Sequence, residues 1–67
     1  MDMVLKNRVY DLRSKAVMTQ SEFAERAGVT RQTIIAIEKG NYTPSVALAL
    51  KIAKVFKRPV EEIFYLT

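Results

Sequence analysis

The sequence has 67 residues, of which 49% are hydrophobic and 27% charged, and its formal net charge is +4. A chain of this length builds one small hydrophobic core and leaves no room for a second. It contains no cysteine and no histidine, which excludes a disulfide scaffold and a thiol nucleophile and removes the commonest metal ligand and general base. We therefore expect one domain over residues 1–67 that is not an enzyme and needs no metal and no cofactor.

The charge pattern favours a polyanionic partner. Eleven basic residues outnumber seven acidic ones, yet residues 19–43 are neutral, so the excess lies in residues 1–18 and 44–67. Every apolar run is too short to span a bilayer, and six charged side chains in residues 1–18 exclude the apolar segment of a signal peptide. We expect a cytoplasmic protein that does not bind a membrane.

Spacing and capping residues predict three helices in the first forty residues. A first helix is indicated by apolar residues that share one face, namely Leu5, Val9, Leu12 and Ala16. Thr19 and Glu22 fit a capping box at the start of a second helix, which Gly28 ends because glycine adopts positive φ at the least cost. Thr30 fits the N-cap of a third helix that ends at Gly40.

The remainder of the sequence also predicts helices. Thr43 and Pro44 fit the N-cap and first residue of a fourth helix, which we expect to run from about Ser45 to Lys57. Residues 60–64 fit a short fifth helix. No alternating pattern of a strand is visible, so we expect an all-α protein of five short helices joined by tight turns.

The second and third helices carry the feature that points to a function. About three residues around Gly28 separate them, which is the spacing of a helix-turn-helix, at about residues 20–39. Ala24 is small where the next helix must cross, and Ile34 and Ile37 fix the third helix on the core. The chain resembles the Cro/cI-type, or xenobiotic-response-element (XRE), family of DNA-binding regulators in three segments: TQSEFAERAGVTRQTI at 19–34, IEKG at 37–40 and PS at 44–45. The resemblance spans about residues 5–64 and implies a compact lambda-repressor-like fold.

The outward face of the third helix suits the reading of bases. Gln32 matches the hydrogen-bonding edge of adenine, Arg31 fits guanine or a phosphate, and Ala36 can touch a thymine methyl group. Ile35 is unusually large and apolar for this face, and it fits either thymine contact or packing along the helix flank. The resemblance implies that Arg31, Gln32 and Ala36 occupy base-reading positions, with the N-terminal part of this helix in the major groove.

The resemblance also implies phosphate contacts and a structural ion pair. Gln20 would donate to a phosphate at the N-terminus of the second helix, aided by the helix dipole. The flanking phosphates would be bound by five further residues, Thr30, Thr33, Lys39, Asn41 and Thr43. The alternative role of Gln20, Thr30 and Thr43 is helix capping or initiation alone. The alternative for Lys39 is a solvated surface charge. The ion pair would join Arg13 of the first helix to Glu38 of the third.

The fourth helix carries more apolar surface than a small core needs, which favours self-association. We expect a core-facing stripe formed by Val46, Ala49, Leu50, Ala53 and Phe56, and a homodimer interface formed by Leu48, Ile52, Val55, Tyr65 and Leu66. The alternative is a central fourth helix that is buried on most of its sides.

Together these observations predict a sequence-specific double-stranded DNA-binding transcriptional regulator, a dimeric repressor of a palindromic operator. A two-fold dimer would set its two recognition helices one DNA turn, about 34 Å, apart. The alternative function is a protein-interaction module of the same fold, such as an antitoxin or a regulatory partner, that binds another protein through Ile35 and the fourth helix.

Overall fold

The computed structural model describes residues 3–67. It contains four α-helices, one turn of 3-10 helix and two short strands. In chain order these are β1 (Leu5–Asn7), α1 (Val9–Lys15), α2 (Gln20–Ala27), α3 (Arg31–Glu38), α4 (Val46–Phe56), the 3-10 turn (Val60–Glu62) and β2 (Phe64–Leu66). Within the described range, no helix is long and apolar enough to cross a membrane.

The predicted capping residues set the boundaries of α2 and the start of α3. The Thr19 hydroxyl accepts from the Glu22 N–H, and the Glu22 carboxylate accepts from the Thr19 N–H, each at 3.0 Å, so the capping box is complete. Gly28 ends α2 in the left-handed conformation at φ 75°. The Thr30 hydroxyl accepts from the Thr33 N–H at 3.3 Å and begins α3.

The fourth helix begins later than predicted. Ser45 is its N-cap, because the Ser45 hydroxyl accepts from the Leu48 N–H at 3.1 Å. The prediction of Thr43 as the N-cap with Pro44 as the first helical residue was therefore wrong. A hydroxyl residue lies on each side of this proline, and the second one, Ser45, caps the helix. At its other end, α4 ends with Lys57 in the left-handed conformation, φ 55°.

The prediction of a purely helical protein with five helices was wrong. Leu5 lies in β1 rather than on α1, and the expected fifth helix is a single 3-10 turn that leads into β2. The strands pair antiparallel with Lys6 opposite Tyr65, and Val4 and Thr67 extend the pairing through two N–H···O bonds of 2.8 and 3.0 Å. The two ends of the chain thus form one small sheet.

Ten apolar side chains form a single core between the helices, with the sheet at one side: Val9, Phe23, Ala24, Ala27, Ile34, Ile37, Leu48, Ile52, Ala53 and Ile63. The Phe23 ring stacks on Phe56 with centroids 4.9 Å apart. Ala16 lies just beyond α1 and is exposed, so it does not share the buried face that was predicted for the first helix.

The two apolar faces of α4 are assigned differently from the sequence prediction. Leu48 and Ile52, expected in a dimer interface, belong to the core, and Ile52 is fully buried. Val46 and Leu50, expected in the core, are 77% and 53% exposed. The structure therefore removes Leu48 and Ile52 from any accessible surface and leaves a different apolar stripe open on α4.

Candidate nucleic-acid interface

Helices α2 and α3 form a helix-turn-helix whose geometry follows from small and apolar residues at fixed positions. Ala24 is buried on α2, which lets α3 pack close to it. Ile34 and Ile37 are buried on the inner side of α3, in the same core as Ala24, and anchor that helix. The left-handed conformation of Gly28 lets the chain reverse between the helices, and its N–H donates to the Glu25 carbonyl at 3.2 Å.

The N-terminal half of α3 presents polar side chains to solvent. Arg31 and Gln32 are exposed in its first turn, whereas Ile35 and Ala36, one turn later, are half-buried. No acidic side chain of residues 3–67 forms a salt bridge with Arg31. Both the guanidinium and the carboxamide are therefore available to hydrogen-bonding groups on a ligand, and Ala36 leaves room for a close approach.

Hydroxyl and amide side chains lie on both sides of this helix. Thr30 is exposed and its hydroxyl lies 3.1 Å from that of the half-buried Thr33. Lys39 follows the last residue of α3 and is exposed, as are Asn41 and Thr43 in the loop that leads to α4. These five residues predicted to contact phosphates thus lie at the two ends of α3: Thr30 and Thr33 at its start, and Lys39, Asn41 and Thr43 after its last residue.

Arg13 and Glu38 form a nearly buried ion pair between α1 and the end of α3. The Arg13 Nε lies 2.6 Å from Glu38 Oε2, and its Nη2 donates to Oε1 at 3.2 Å. Only 12% of the Arg13 side chain and 6% of the Glu38 side chain are exposed. The hydrogen bond to Glu38 raises the pKa of Arg13, which favours the charged form of the guanidinium.

The ion pair has a third member that sequence reasoning missed. Gln20, at the first position of α2, donates its side-chain N–H to Glu38 Oε1 at 3.2 Å. Glu38 therefore joins α1, α2 and α3 at one point, and it holds the carboxamide of Gln20 at the N-terminus of α2. The i to i+18 separation of these residues leaves no local pattern from which this contact could be read.

A second missed residue, Asn7, attaches β1 to the recognition helix. Its side-chain N–H donates to the Ile37 carbonyl at 2.9 Å, and its side-chain oxygen accepts from the Val9 N–H at 3.0 Å. Asparagine just before a helix is a familiar capping signal, which could have identified the contact to Val9. The contact to Ile37 depends on tertiary structure alone.

The neutral charge of residues 19–43 hides an uneven local distribution. Glu38 faces Arg13, and Glu22 is engaged in its capping box, where the N–H of Thr19 lowers the pKa of the Glu22 carboxyl. The two basic residues on and next to the outer face of α3, Arg31 and Lys39, have no ion-pair partner among residues 3–67. The exposed side of α3 is consequently cationic, which suits a polyanion.

The other residues predicted for a dimer interface occupy different environments. Val55 is half-buried and packs against the core. Tyr65 is half-buried in β2, with the Arg8 guanidinium carbon 4.4 Å from its ring centroid, and Leu66 is 57% exposed. With Leu48 and Ile52 in the core, the five residues do not form one continuous exposed patch.

Comparison with known proteins places this geometry in a family. Residues 9–63 match the helix-turn-helix family. The chain is 50% identical over 62 residues to YgzD of Bacillus subtilis, an uncharacterized HTH-type transcriptional regulator. This match covers 92% of the present chain and 94% of YgzD. The chain is 32% identical over 60 residues to RstR, the cryptic phage CTXphi transcriptional repressor of Vibrio cholerae, of which it covers 54%.

A solved structure shares the same fold. The restriction-modification controller protein C.AhdI from Aeromonas hydrophila superposes with a TM-score of 0.76 at 25% identity, over 82% of this chain and 80% of that one. The segment that matches the family, residues 9–63, contains α2 and α3, the two helices that form the motif. The chain therefore belongs to the XRE-type family of helix-turn-helix DNA-binding regulators.

Proposed function

We propose that this protein binds double-stranded DNA sequence-specifically and regulates transcription as a dimeric repressor. The observation that carries the proposal is the first turn of α3, where Arg31 and Gln32 are exposed on a helix whose opposite side is buried, and where neither forms a salt bridge with another residue of the described range. Such a helix end fits the major groove, which admits one α-helix and displays a distinct pattern of donors and acceptors for each base pair.

Each residue of the exposed face then has a role that follows from its chemistry. The carboxamide of Gln32 pairs with the N6 and N7 edge of adenine, and the guanidinium of Arg31 with O6 and N7 of guanine or with a phosphate. Ala36 and Ile35 contact thymine methyl groups, for which half-buried apolar side chains on the same face are suited.

The flanking residues hold the DNA backbone. The first N–H groups of α2 have no partner within the helix, so a phosphate near Gln20 gains from both the amides and the helix dipole. Glu38 supports this role because it accepts from the Gln20 side chain at 3.2 Å and fixes its direction. Phosphates on either side of the groove are bound by Thr30, Thr33, Lys39, Asn41 and Thr43.

The dimer uses the apolar stripe that remains open on α4. Val46 and Leu50 lie one turn apart on this stripe and are 77% and 53% exposed. Leu50 also lines an apolar groove between the end of α4 and Pro59–Val60. Burial of this surface against a second copy adds hydrophobic stabilisation to a chain whose own core is small.

Repression follows if the dimer occupies an operator that overlaps a promoter. The relative RstR is named as a transcriptional repressor, which supports this direction of regulation. In a reporter strain that carries the selected operator at the promoter, the protein should lower expression. An unchanged or higher level would contradict the repressor assignment without affecting the assignment of DNA binding.

In vitro selection from random duplex DNA at physiological salt tests the proposal. We expect a two-fold symmetric motif with half-site centres about 10 base pairs apart. The two glutamines of the chain, Gln20 and Gln32, form a matched pair of variants. Gln32→Ala should relax one position of each half-site, at a cost of about 1–3 kcal/mol on the preferred base, whereas Gln20→Ala should weaken binding to all sequences alike.

Two further results would redirect the assignment. A single unsymmetric half-site would leave DNA binding in place and remove the dimer. A pool without enrichment would favour the alternative function, a protein-interaction module that uses the exposed Val46 and Leu50 on α4. Sedimentation of Leu50→Glu provides the independent test of the dimer, since this variant should remain folded and sediment as a monomer.

A further inference from the structure

We propose that β1 supplies an additional contact to the DNA backbone, with one phosphate of the duplex bound between Lys6 and Lys39. The inference rests on the proposed function and extends it, because it adds the N-terminal strand to the DNA-binding surface. The family resemblance implies no ligand for Lys6, and helix-turn-helix geometry alone gives β1 no role in binding.

The site is an open cleft of about 310 Å³ between the sheet and the end of α3. Its walls are formed by Val4, Leu5, Lys6 and Asn7 on β1, by Tyr65 on β2, and by Glu38, Lys39 and Gly40 after the last turn of α3. Lys6 and Lys39 are both exposed, one on the strand wall and the other on the helix wall. The cleft is thus larger than a phosphate group, and it has an exposed lysine on each of two walls.

The charges of the cleft are not balanced within the described chain. Glu38 is its only acidic lining residue, and the carboxylate of Glu38 is already bound by Arg13 and Gln20. Neither Lys6 nor Lys39 forms a salt bridge with another residue of the 3–67 range. Two ammonium groups that share a cleft without a free carboxylate attract an anion, and lysine binds phosphate as a point charge.

The location of the cleft identifies the anion as a DNA phosphate. Lys39 lines the cleft and is followed by the loop of Asn41 and Thr43, to which the proposed function also assigns phosphate contacts. Asn7 fixes β1 to α3 through its 2.9 Å bond to the Ile37 carbonyl, and Lys6 therefore keeps its place relative to the recognition helix. A free anion would find no buried polar donor here, whereas a duplex held by α3 brings its phosphate to the cleft.

The negative end of α3 does not oppose this binding. Its last carbonyls already accept hydrogen bonds, from the Asn41 N–H to Ala36 at 2.9 Å and from the Gly40 N–H to Ile37 at 2.9 Å. Because these carbonyls are satisfied, the partial negative charge that a helix C-terminus presents to an anion is reduced. The two lysines then dominate the local potential.

The test compares Lys6→Gln with Lys15→Gln, which removes the same charge from the end of α1, where Lys15 lines a different cleft with Leu12 and Arg58. The dissociation constant for the selected operator is measured at several salt concentrations. Loss of one phosphate contact lowers the slope of log K against log salt by about 0.9 and raises Kd about eightfold at 0.1 M salt. We expect this change for Lys6→Gln and a much smaller one for Lys15→Gln.

A melting curve of each variant verifies the fold. Because Lys6 and Lys15 are both exposed, neither substitution should change the fold. Ethylation interference adds a readout at the level of single phosphates: one phosphate next to those contacted by the Asn41 loop should lose its effect in Lys6→Gln. An unchanged slope for Lys6→Gln, or an equal loss in Lys15→Gln, would overturn the inference while the proposed function stands. Absence of salt-dependent binding by the wild-type protein would overturn both.

Discussion

Removal of the Glu38 side chain should strongly destabilise the fold. Its side chain is 6% exposed and accepts hydrogen bonds from Arg13 and Gln20, so Glu38→Ala leaves a guanidinium nearly buried without its counter-charge. Breaking a buried ion pair on one side costs about 3–5 kcal/mol. We use the lower figure, because Arg13 keeps its 2.9 Å bond to the Met18 carbonyl. At about 4–8 °C per kcal/mol, a loss of about 3 kcal/mol lowers the melting temperature by about 12–24 °C.

The chain contains its own control for this measurement. Arg58 and Glu62 form an i,i+4 ion pair whose side chains are 50% and 53% exposed, so Glu62→Ala should cost no more than about 0.5 kcal/mol. Thermal and urea unfolding followed by circular dichroism measures both variants under the same conditions. Equal, small shifts for Glu38→Ala and Glu62→Ala would refute the reasoning, because burial would then not decide what an ion pair contributes.

Three further predictions concern stability. The pKa of Glu22 is lowered from its ordinary value of 4.5, so the capping interaction of its carboxylate stabilises the fold above pH 4.5 and is lost as the pH falls through the pKa of the folded state. The melting temperature of Glu22→Gln should therefore lie below that of the wild type at pH 7, and the two should converge in acid. Val17 is 88% exposed at φ 56°, a conformation that costs a β-branched residue about 1–2 kcal/mol, so Val17→Asn should raise the free energy of unfolding by about 1 kcal/mol, as measured in urea. Leu48→Glu places a carboxylate in the core and should unfold the chain, whereas Leu50→Glu should give a normal circular dichroism spectrum and melt near wild type; two alike spectra would contradict the assignment of the two faces of α4.

Much of the helix-turn-helix could be predicted because local chemistry determines it. A capping box requires only Thr19 and Glu22 three residues apart, and the left-handed turn requires only Gly28. The buried positions Ile34 and Ile37 follow from helical spacing and the length of the turn. In each case the interacting groups lie within a few residues of one another, so the sequence pattern contains the whole interaction.

The sheet and the orientation of α4 could not be predicted for the opposite reason. Each strand has three residues, too few for a visible alternation, and Leu5 happens to lie four residues before Val9, which extends the helical spacing into β1. The strands pair across the full length of the chain. On α4 the apolar arc is broad, and only packing against Phe23 and its neighbours distinguishes the buried Ile52 from the exposed Leu50.

The attachment of α3 explains how such a short chain can hold a reading helix in one orientation. Its buried side is packed in the core, its last side chain Glu38 bonds to α1 and α2, and its Ile37 carbonyl accepts from Asn7 of β1. The hydrogen bonds act on the last two residues of α3 and the core packing includes Ile34, whereas the first turn with Arg31 and Gln32 has no tertiary hydrogen bonds within residues 3–67. A helix held by its buried side and by its last residues presents the exposed side chains of its first turn in a position that is already determined, so binding need not order the helix itself. Under the proposed function, changes at Asn7 and Glu38 affect DNA binding through the orientation of α3, and changes at Gln32 affect it through the bases.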